Sequence, residues 1–269
     1  MTGRGGVGEL RDRALWAGEP VAGWEALGGV GALEAWSTLP STNDRARYLA
    51  RSGGAPWSVV VADHQTAGRG RAGARWVSEP AVGLWVSVVI VPRSPAHAGL
   101  LPLLAGTALE RAVEPVGPPP AVRLGLKWPN DVWLDGRKVA GILCEAVGDR
   151  VVVGMGLNLR DPAGGFPPDL TARAGSLEGL TGRPWSPAAV LGRWLKEFRE
   201  LSDPGPMRFE GRVADFWSER DILHGRRVRV GALEGVAVGV RADGALTLAR
   251  DDGSVAEVRA GHVEWLDES

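Results

Sequence analysis

Residues 63–76 read Asp-His-Gln-Thr-Ala-Gly-Arg-Gly-Arg-Ala-Gly-Ala-Arg-Trp, so that Gly68, Gly70 and Gly73 alternate with Arg69, Arg71 and Arg75 ahead of the indole of Trp76. Glycines let backbone N–H groups approach an anion closely, because no Cβ intervenes. Guanidinium groups add a fixed charge and a planar donor fork suited to carboxylate and phosphate. The stretch reads as a lid over an anionic ligand, with a solvated Arg/Gly linker as the alternative. Gly68, Gly70 and Gly73 also satisfy the G-x-G-x-x-G spacing of dinucleotide sites. That spacing is diagnostic only between a strand and a helix, with an acidic residue about 20 positions further on. Here Ala74-Arg-Trp-Val-Ser-Glu-Pro80 opens no helix and Val86-Ser-Val-Val-Ile-Val91 carries no carboxylate, so the Rossmann reading is rejected.

Lysine is the second chemistry the sequence singles out. Of 31 basic residues only Lys127, Lys138 and Lys196 are lysines, leaving 31 − 3 = 28 arginines. Two of the three fall within Lys127-Trp-Pro-Asn-Asp131 and Gly136-Arg-Lys-Val-Ala-Gly-Ile142. Asp135-Gly136 between alternating apolar runs predicts a two-residue hairpin turn, which pairs Trp133 with Lys138 and Asp131 with Ala140. Lys138 and Asp131 then share a face as diagonal neighbours, placing an ammonium beside a carboxylate. A surface salt bridge beside a turn is the plainer reading of the same pair.

Two further polar groups stand in apolar surroundings. Ser41-Thr-Asn43 follows Pro40 and opens a predicted helix over residues 41–51, ended by Gly53-Gly54. Those side chains suit an N-cap, but a capped N-terminus also gathers polar groups and a positive dipole end at one point. Asn158 lies in the apolar run of residues 150–159, as a satisfied core amide or a ligand contact.

The elements that must position these residues follow from periodicity. Strands are predicted over residues 57–63, 82–91 and 150–159, the first two as neighbours flanking the lid. Helices are predicted over residues 96–114, from Ser186-Pro187 to about Leu201, and over 207–219. A short helix over residues 8–16 lies in a Gly- and Ala-rich extension. From His224, short strands punctuated by Asp243-Gly244 and Asp252-Gly253 predict a small β-barrel. The expected class is α+β, a mixed β-sheet with flanking helices and a small C-terminal barrel. The domain limits are an extension over 1–35, a main domain over 36–219, which carries the lid and the lysine hairpin, and a C-terminal domain over 220–269.

Composition bounds the rest. At 269 residues and 28.4 kDa, 44% hydrophobic and 23% charged, the chain is an ordinary globular protein. A net charge of −1 gives no global reason to bind nucleic acid or an anionic membrane. The single Cys144 excludes an intrachain disulfide framework and a cysteine zinc site, and a cytoplasmic location is expected.

Taken together, Ser41-Thr-Asn-Asp44, Gln65-Thr-Ala-Gly-Arg-Gly-Arg71 with Trp76, Lys127-Trp-Pro-Asn-Asp131, Gly136-Arg-Lys-Val-Ala-Gly-Ile142 and Gly156-Leu-Asn158 resemble the biotin protein ligase family over roughly residues 36–269. The resemblance implies an enzyme that uses ATP, with Mg2+, to convert biotin to biotinyl-5′-adenylate. The biotin then passes to a lysine of a biotin carboxyl carrier protein, a subunit of an acyl-CoA carboxylase. It places Ser41, Thr42, Asn43 and Gln65 at the biotin head, with Arg69, Gly70, Arg71, Lys138 and Gly141 completing the biotin site. It places Gly68, Arg69, Gly70, Arg71, Trp76, Lys127, Asn130, Asp131 and Asn158 around ATP or the adenylate, Trp76 and Asn158 at the adenine. Lys138 and Arg71 are the implied catalytic residues, and Asp131 the candidate for Mg2+. The C-terminal barrel is expected to be SH3-like.

Two departures qualify the match. The first 35 residues supply no winged helix, so no DNA binding is expected. Gly261-His262 stands where the family often has glycine and glutamate. A homodimer through a sheet edge is compatible with this reading. The rivals are a lipoate–protein ligase, which shares the fold and an adenylate intermediate, and a nucleic-acid-binding module. Lipoate has no ureido group, so the Ser-Thr-Asn and Gln65 set favours biotin.

Overall fold

The structure, a computed structural model, describes residues 15–16, 19–20, 30–113, 123–202 and 211–266. In chain order these form β1 (Leu15–Trp16), β2 (Glu19–Pro20), β3 (Ala32–Leu39), α1 (Thr42–Arg51), β4 (Ser58–Gln65), β5 (Gly83–Ile90), α2 (Pro95–Val113), β6 (Gly125–Lys127), β7 (Asp131–Leu134), β8 (Arg137–Val147) and β9 (Arg150–Asn158). After these come α3 (Leu177–Thr181), α4 (Pro187–Ser202), α5 (Arg212–Ser218) and the strands β10 (Arg227–Val230), β11 (Leu233–Val240), β12 (Leu246–Ala249), β13 (Val255–Val258) and β14 (Val263–Trp265).

Seven strands make one sheet in the order β3-β4-β5-β9-β8-β7-β6. β3 and β4 run parallel and all other neighbours antiparallel, so the sheet is mixed, as expected. Period-two alternation divides its side chains cleanly. Val59, Val61, Leu84, Val86, Val88, Val151, Val153, Met155 and Leu157 pack with Leu101, Leu104 and Leu109 of α2 and Val190, Trp194 and Phe198 of α4. On the opposite face Val60, Ala62, Val89 and Val152 meet Ala46 and Ala50 of α1, a smaller cluster covering one end of the sheet. The rest of that second face carries the candidate site.

Several expectations change. β3 starts at Ala32, so the sheet begins inside the stretch read as an extension. Of the helix expected over residues 8–16, only Leu15–Trp16 is described, and it is extended and pairs with β2. The Pro-rich connection after residue 114 and the first part of the helix expected over 207–219 lie outside the described residues. The C-terminal strands form one antiparallel sheet in the order β13-β12-β11-β10-β14. β13 and β14 are its two edges and do not pair with each other, so the expected barrel is not closed by strand pairing. No helix among the described residues is long and apolar enough to cross a membrane.

The C-terminal sheet is fastened to the first one. Arg220, just ahead of it, makes a buried ion pair with Glu110 of α2. β6 is bordered by the same segment, through hydrogen bonds from Leu126 N to Arg220 O and from Ile222 N to Leu126 O.

Candidate active site

The site begins at the N-terminus of α1. Ser41 has the extended conformation of an N-cap, but its side chain makes no capping bond. The orphan N–H of Thr42 is satisfied from afar instead, by Gln65 Oε1 at 2.9 Å. Gln65 also accepts from Thr42 Oγ1 at 3.1 Å and donates through Nε2 to Ser78 Oγ at 2.9 Å. Ser87 of β5 lies beneath, its hydroxyl 2.8 Å from Thr42 Oγ1 and 2.6 Å from Asn43 Oδ1. Asn43 Nδ2 donates to Glu145 Oε2 at 2.8 Å. Ser41, Thr42, Asn43 and Ser87 are all buried, and hydrogen-bonded polar groups in such a place fix each other's orientation.

The Arg/Gly stretch folds back on itself. Trp76 N bonds to Gly68 O at 2.9 Å and Gly70 N to Ala74 O at 2.7 Å, and a 3-10 turn spans Arg71–Gly73. Ala72, Gly73, Ala74 and Arg75 at its tip are exposed. Arg69 reaches Asp44 at 2.7 Å and Glu145 at 3.1 Å. Burial works against that guanidinium's charge, but the two carboxylates outweigh it and hold Arg69 above its ordinary pKa. Arg71 donates to Asn130 Oδ1 at 2.8 Å, and Asn130 is pinned to Ile142 of β8 by two 2.8 Å bonds. One arginine therefore fastens the lid to α1 and the other to the start of β7.

The hairpin turn falls at Asp135 and Gly136, both with positive φ (46° and 72°), as a two-residue turn of this kind requires. Trp133 pairs with Lys138 as expected, but a bulge moves the partner of Asp131 from Ala140 to Gly141. The extra residue, Val139, turns into the core. Lys138 Nζ lies 2.6 Å from Asp131 Oδ1 and 5.4 Å from the centre of the Trp76 ring. The backbone of Lys138 is held on its other side by Arg173 O (2.7 Å) and Gly175 N (3.1 Å).

Under Trp76 the sheet is bare backbone. A Cβ at Gly156 would stand 2.5 Å from Trp76 Cε2, and one at Gly141 would stand 3.0 Å from the same ring and 3.3 Å from Lys138 Nζ. Gly141 and Gly156 are cross-strand partners, so together they make a floor on which ring and amine rest. Burial pushes the thiol of nearby Cys144 up to about 12, which works against the thiolate that a nucleophile needs.

The family model of the biotin/lipoate A/B protein ligases matches residues 37–159, which span α1, the lid, the hairpin and β9. Over 229 residues the chain is 36% identical to a protein of Paracoccus denitrificans named biotin–[acetyl-CoA-carboxylase] ligase, covering 77% of this chain and 90% of that one. The chain belongs to the biotin protein ligase family. It is also 32% identical over 231 residues to the bifunctional ligase/repressor BirA of Bacillus subtilis, covering 80% of this chain and 68% of that protein. The solved structure of biotin protein ligase from Aquifex aeolicus in complex with biotin and ATP aligns with a TM-score of 0.72 at 28% identity, covering 87% of this chain and 97% of that one.

Against what membership of the biotin protein ligases implies, the structure gathers most of the expected residues. Thr42, Asn43, Gln65, Arg69, Arg71, Trp76, Asn130, Asp131, Lys138 and Gly141 are joined by the contacts above, with Gly68 and Gly70 in the lid backbone. Two residues have other commitments. Asn158 gives its amide to Gly175 O at 3.0 Å, which steadies the segment beside Lys138. Lys127 is buried, with its amine donated to Val263 O at 3.0 Å in the C-terminal sheet. Sequence reasoning missed Ser87 and Glu145. Counting by twos along β8 from Gly141 reaches Glu145 on the same face, the one signal that would have flagged it.

Proposed function

We propose that this chain activates biotin with ATP as biotinyl-5′-adenylate and transfers the biotinyl group to a lysine of the carrier subunit of acetyl-CoA carboxylase. The observation that carries this reading is the Lys138 amine, held by Asp131 over a glycine floor and under Trp76, with Arg71 docked beside it at Asn130. The names of the Paracoccus and Aquifex relatives support the substrates and the acceptor.

In the first step a carboxylate oxygen of biotin forms a bond to the α-phosphorus as the bond to the bridging oxygen breaks, and pyrophosphate departs. Two anions must meet, so the protein's task is positioning and neutralisation of concentrating charge. Lys138 and Arg71 supply cations and the lid supplies N–H groups. In the second step the neutral amine of the acceptor lysine attacks the acyl carbon, AMP leaves, and the nitrogen loses its extra proton. The network of Thr42, Asn43, Gln65, Ser78 and Ser87 offers both donors and acceptors, as a ureido head with one C=O and two N–H requires.

Asp131 fits Mg2+ as a single carboxylate beside the proposed phosphate position. The described residues hold no cluster of three metal-ligating side chains. Mg2+ needs none when it arrives on substrate phosphates and keeps most of its water. When bound there it would neutralise phosphate charge.

Among the described residues nothing corresponds to the repressor activity in the Bacillus name, and a net charge of −1 gives no global attraction to DNA. The reading is therefore of a ligase. Pyrophosphate exchange into ATP, measured with biotin and separately with lipoate, tests it. Exchange with biotin alone is expected. Exchange with lipoate alone would move the chain to the other branch, and none with either would reject the activity.

A further inference from the structure

We propose that Lys127 is a positioning residue, the tie through which the C-terminal sheet holds the Asp131–Lys138 pair in place for the chemical step. This rests on the biotin-activating reading above. Three consecutive residues of the β6 end each reach a carbonyl in a different part of the C-terminal region. Leu126 N donates to Arg220 O at 2.8 Å, Lys127 Nζ to Val263 O at 3.0 Å and Trp128 Nε1 to Gly244 O at 2.9 Å.

Of the three, Lys127 alone has its side chain on the reacting face, as the direct cross-strand partner of Asp131. Lys127 is 6% exposed, and its amine lies against an edge-to-face pair of indoles, 5.4 Å from the centre of Trp133 and 4.9 Å from that of Trp265. A carbonyl and two π faces take over the role of water around an ammonium there. Burial lowers its pKa below the ordinary lysine value, while Asp131 acts to raise it.

The chain of contact is short. Val263 and Trp265 of β14 hold Lys127, Lys127 lies opposite Asp131, and Asp131 holds Lys138 at 2.6 Å. Lys127 gives its hydrogen bond to Val263 rather than to Asp131, but its charge acts on that carboxylate from the facing strand, so a displaced amine leaves Asp131 to Lys138 alone and free to draw it out of line. Displacements of about 1 Å at a reacting group cost up to about a hundredfold in rate. A direct phosphate contact, which the family resemblance implies for this lysine, would require the amine to abandon Val263 and leave the indole pair.

Biotin-dependent pyrophosphate exchange in the full chain separates the two roles. Lys127→Met should lower kcat about tenfold and leave KM for ATP within about twofold, the pattern of an interaction lost from the transition state alone. Trp265→Leu, in the other sheet, should give a kcat loss of the same kind. The double variant should be no slower than Lys127→Met, because residues acting through one path are not additive. A raised KM for ATP with kcat retained would restore the phosphate contact and overturn the proposal, as would additive losses in the double variant. Should Lys127→Met fail to fold, Trp265→Leu alone decides: full kcat rejects the tie, and reduced kcat at unchanged KM supports it. If the unsubstituted chain shows no biotin-dependent exchange, the biotin-activating reading itself has failed, a distinct outcome.

Discussion

Along β9, Val151, Val153, Met155 and Leu157 face the helices α2 and α4, whereas Gly154, Gly156 and Asn158 alternate onto the other side. β8 repeats the division, with Ala140 and Ile142 in the core and Gly141 and Glu145 opposite. The same strands thus carry two surfaces with opposite composition. One is filled with branched side chains packed against helices. The other is emptied by glycine at Gly141, Gly154 and Gly156 and furnished with Ser87, Glu145, Asp131 and Lys127. A strand turns successive residues to opposite faces, so stability and chemistry are encoded in alternate letters of one stretch. Substitutions one residue apart should therefore fail in different ways.

The largest expected effect is on the emptied face. Lys138→Met keeps the stem and deletes the charge, and removal of one preorganised donor or charge costs on the order of 3 kcal/mol, about a hundredfold or more in rate. Adenylate formation should fall by that factor with the melting temperature unchanged, because the pair with Asp131 is partly exposed and contributes little to folding. Lys196→Met, on the exposed side of α4 near Glu200, serves as the control and should match the parent. Normal adenylate synthesis by Lys138→Met would remove this lysine from the chemistry.

On the filled face Val153→Ala should cost about 2 kcal/mol of folding stability, the transfer term plus a small cavity. Denaturant titration should show a lower midpoint at unchanged slope, while KM for biotin at low temperature stays at the parental value. A changed KM would mean that the two faces are not independent.

The next residue gives the opposite pattern. A Cβ at position 154 would stand 2.0 Å from Asn43 Oδ1 and force that side chain off Ser87 and Glu145. Gly154→Ala is expected to raise KM for biotin about tenfold, equivalent to about 1.4 kcal/mol of binding. An unaltered KM would show that Asn43 does not hold the biotin head.

The smallest effect concerns Cys144, whose burial raises its thiol from 9.0 to about 12 in the folded chain. A group whose pKa is raised by folding contributes its stability below the unfolded value and loses it as pH climbs through the folded one. Below pH 9 both states hold the proton and the term is constant. Between pH 9 and 12 the unfolded state ionises first and stability declines, by about 1.4 kcal/mol at pH 10. Stability of the parent should therefore fall more steeply from pH 8 to pH 10 than that of Cys144→Ala. Parallel curves would mean that the thiol is hydrated.

What the sequence determined by itself was local. The Asp135-Gly136 turn set the Trp133–Lys138 pairing, since two residues with positive φ leave the flanking strands one register. From that turn alone Lys138 and Asp131 could be placed on one face. The Arg/Gly spacing marked the lid, and Ser186-Pro187 and Gly53-Gly54 marked helix ends where the structure has them.

What only the tertiary structure decided was long-range. The bulge at Val139 answers to the core beneath it, and it moved the partner of Asp131 to Gly141. Ser41-Thr-Asn43 offered its own side chains as a helix cap, but Gln65, 23 residues on from Thr42, took its N–H instead, and the side chains of Thr42 and Asn43 joined a network with Ser87 and Glu145. Glu145 became a partner of Asn43 across 102 residues, and Lys127 of Val263 across 136. The C-terminal strands were each visible through their turns, but whether their edges meet depends on how the whole sheet twists and what it rests on. Periodicity and turn chemistry act over a few residues and are written in the letters. Which buried donor meets which acceptor is fixed only when the whole sheet closes around them.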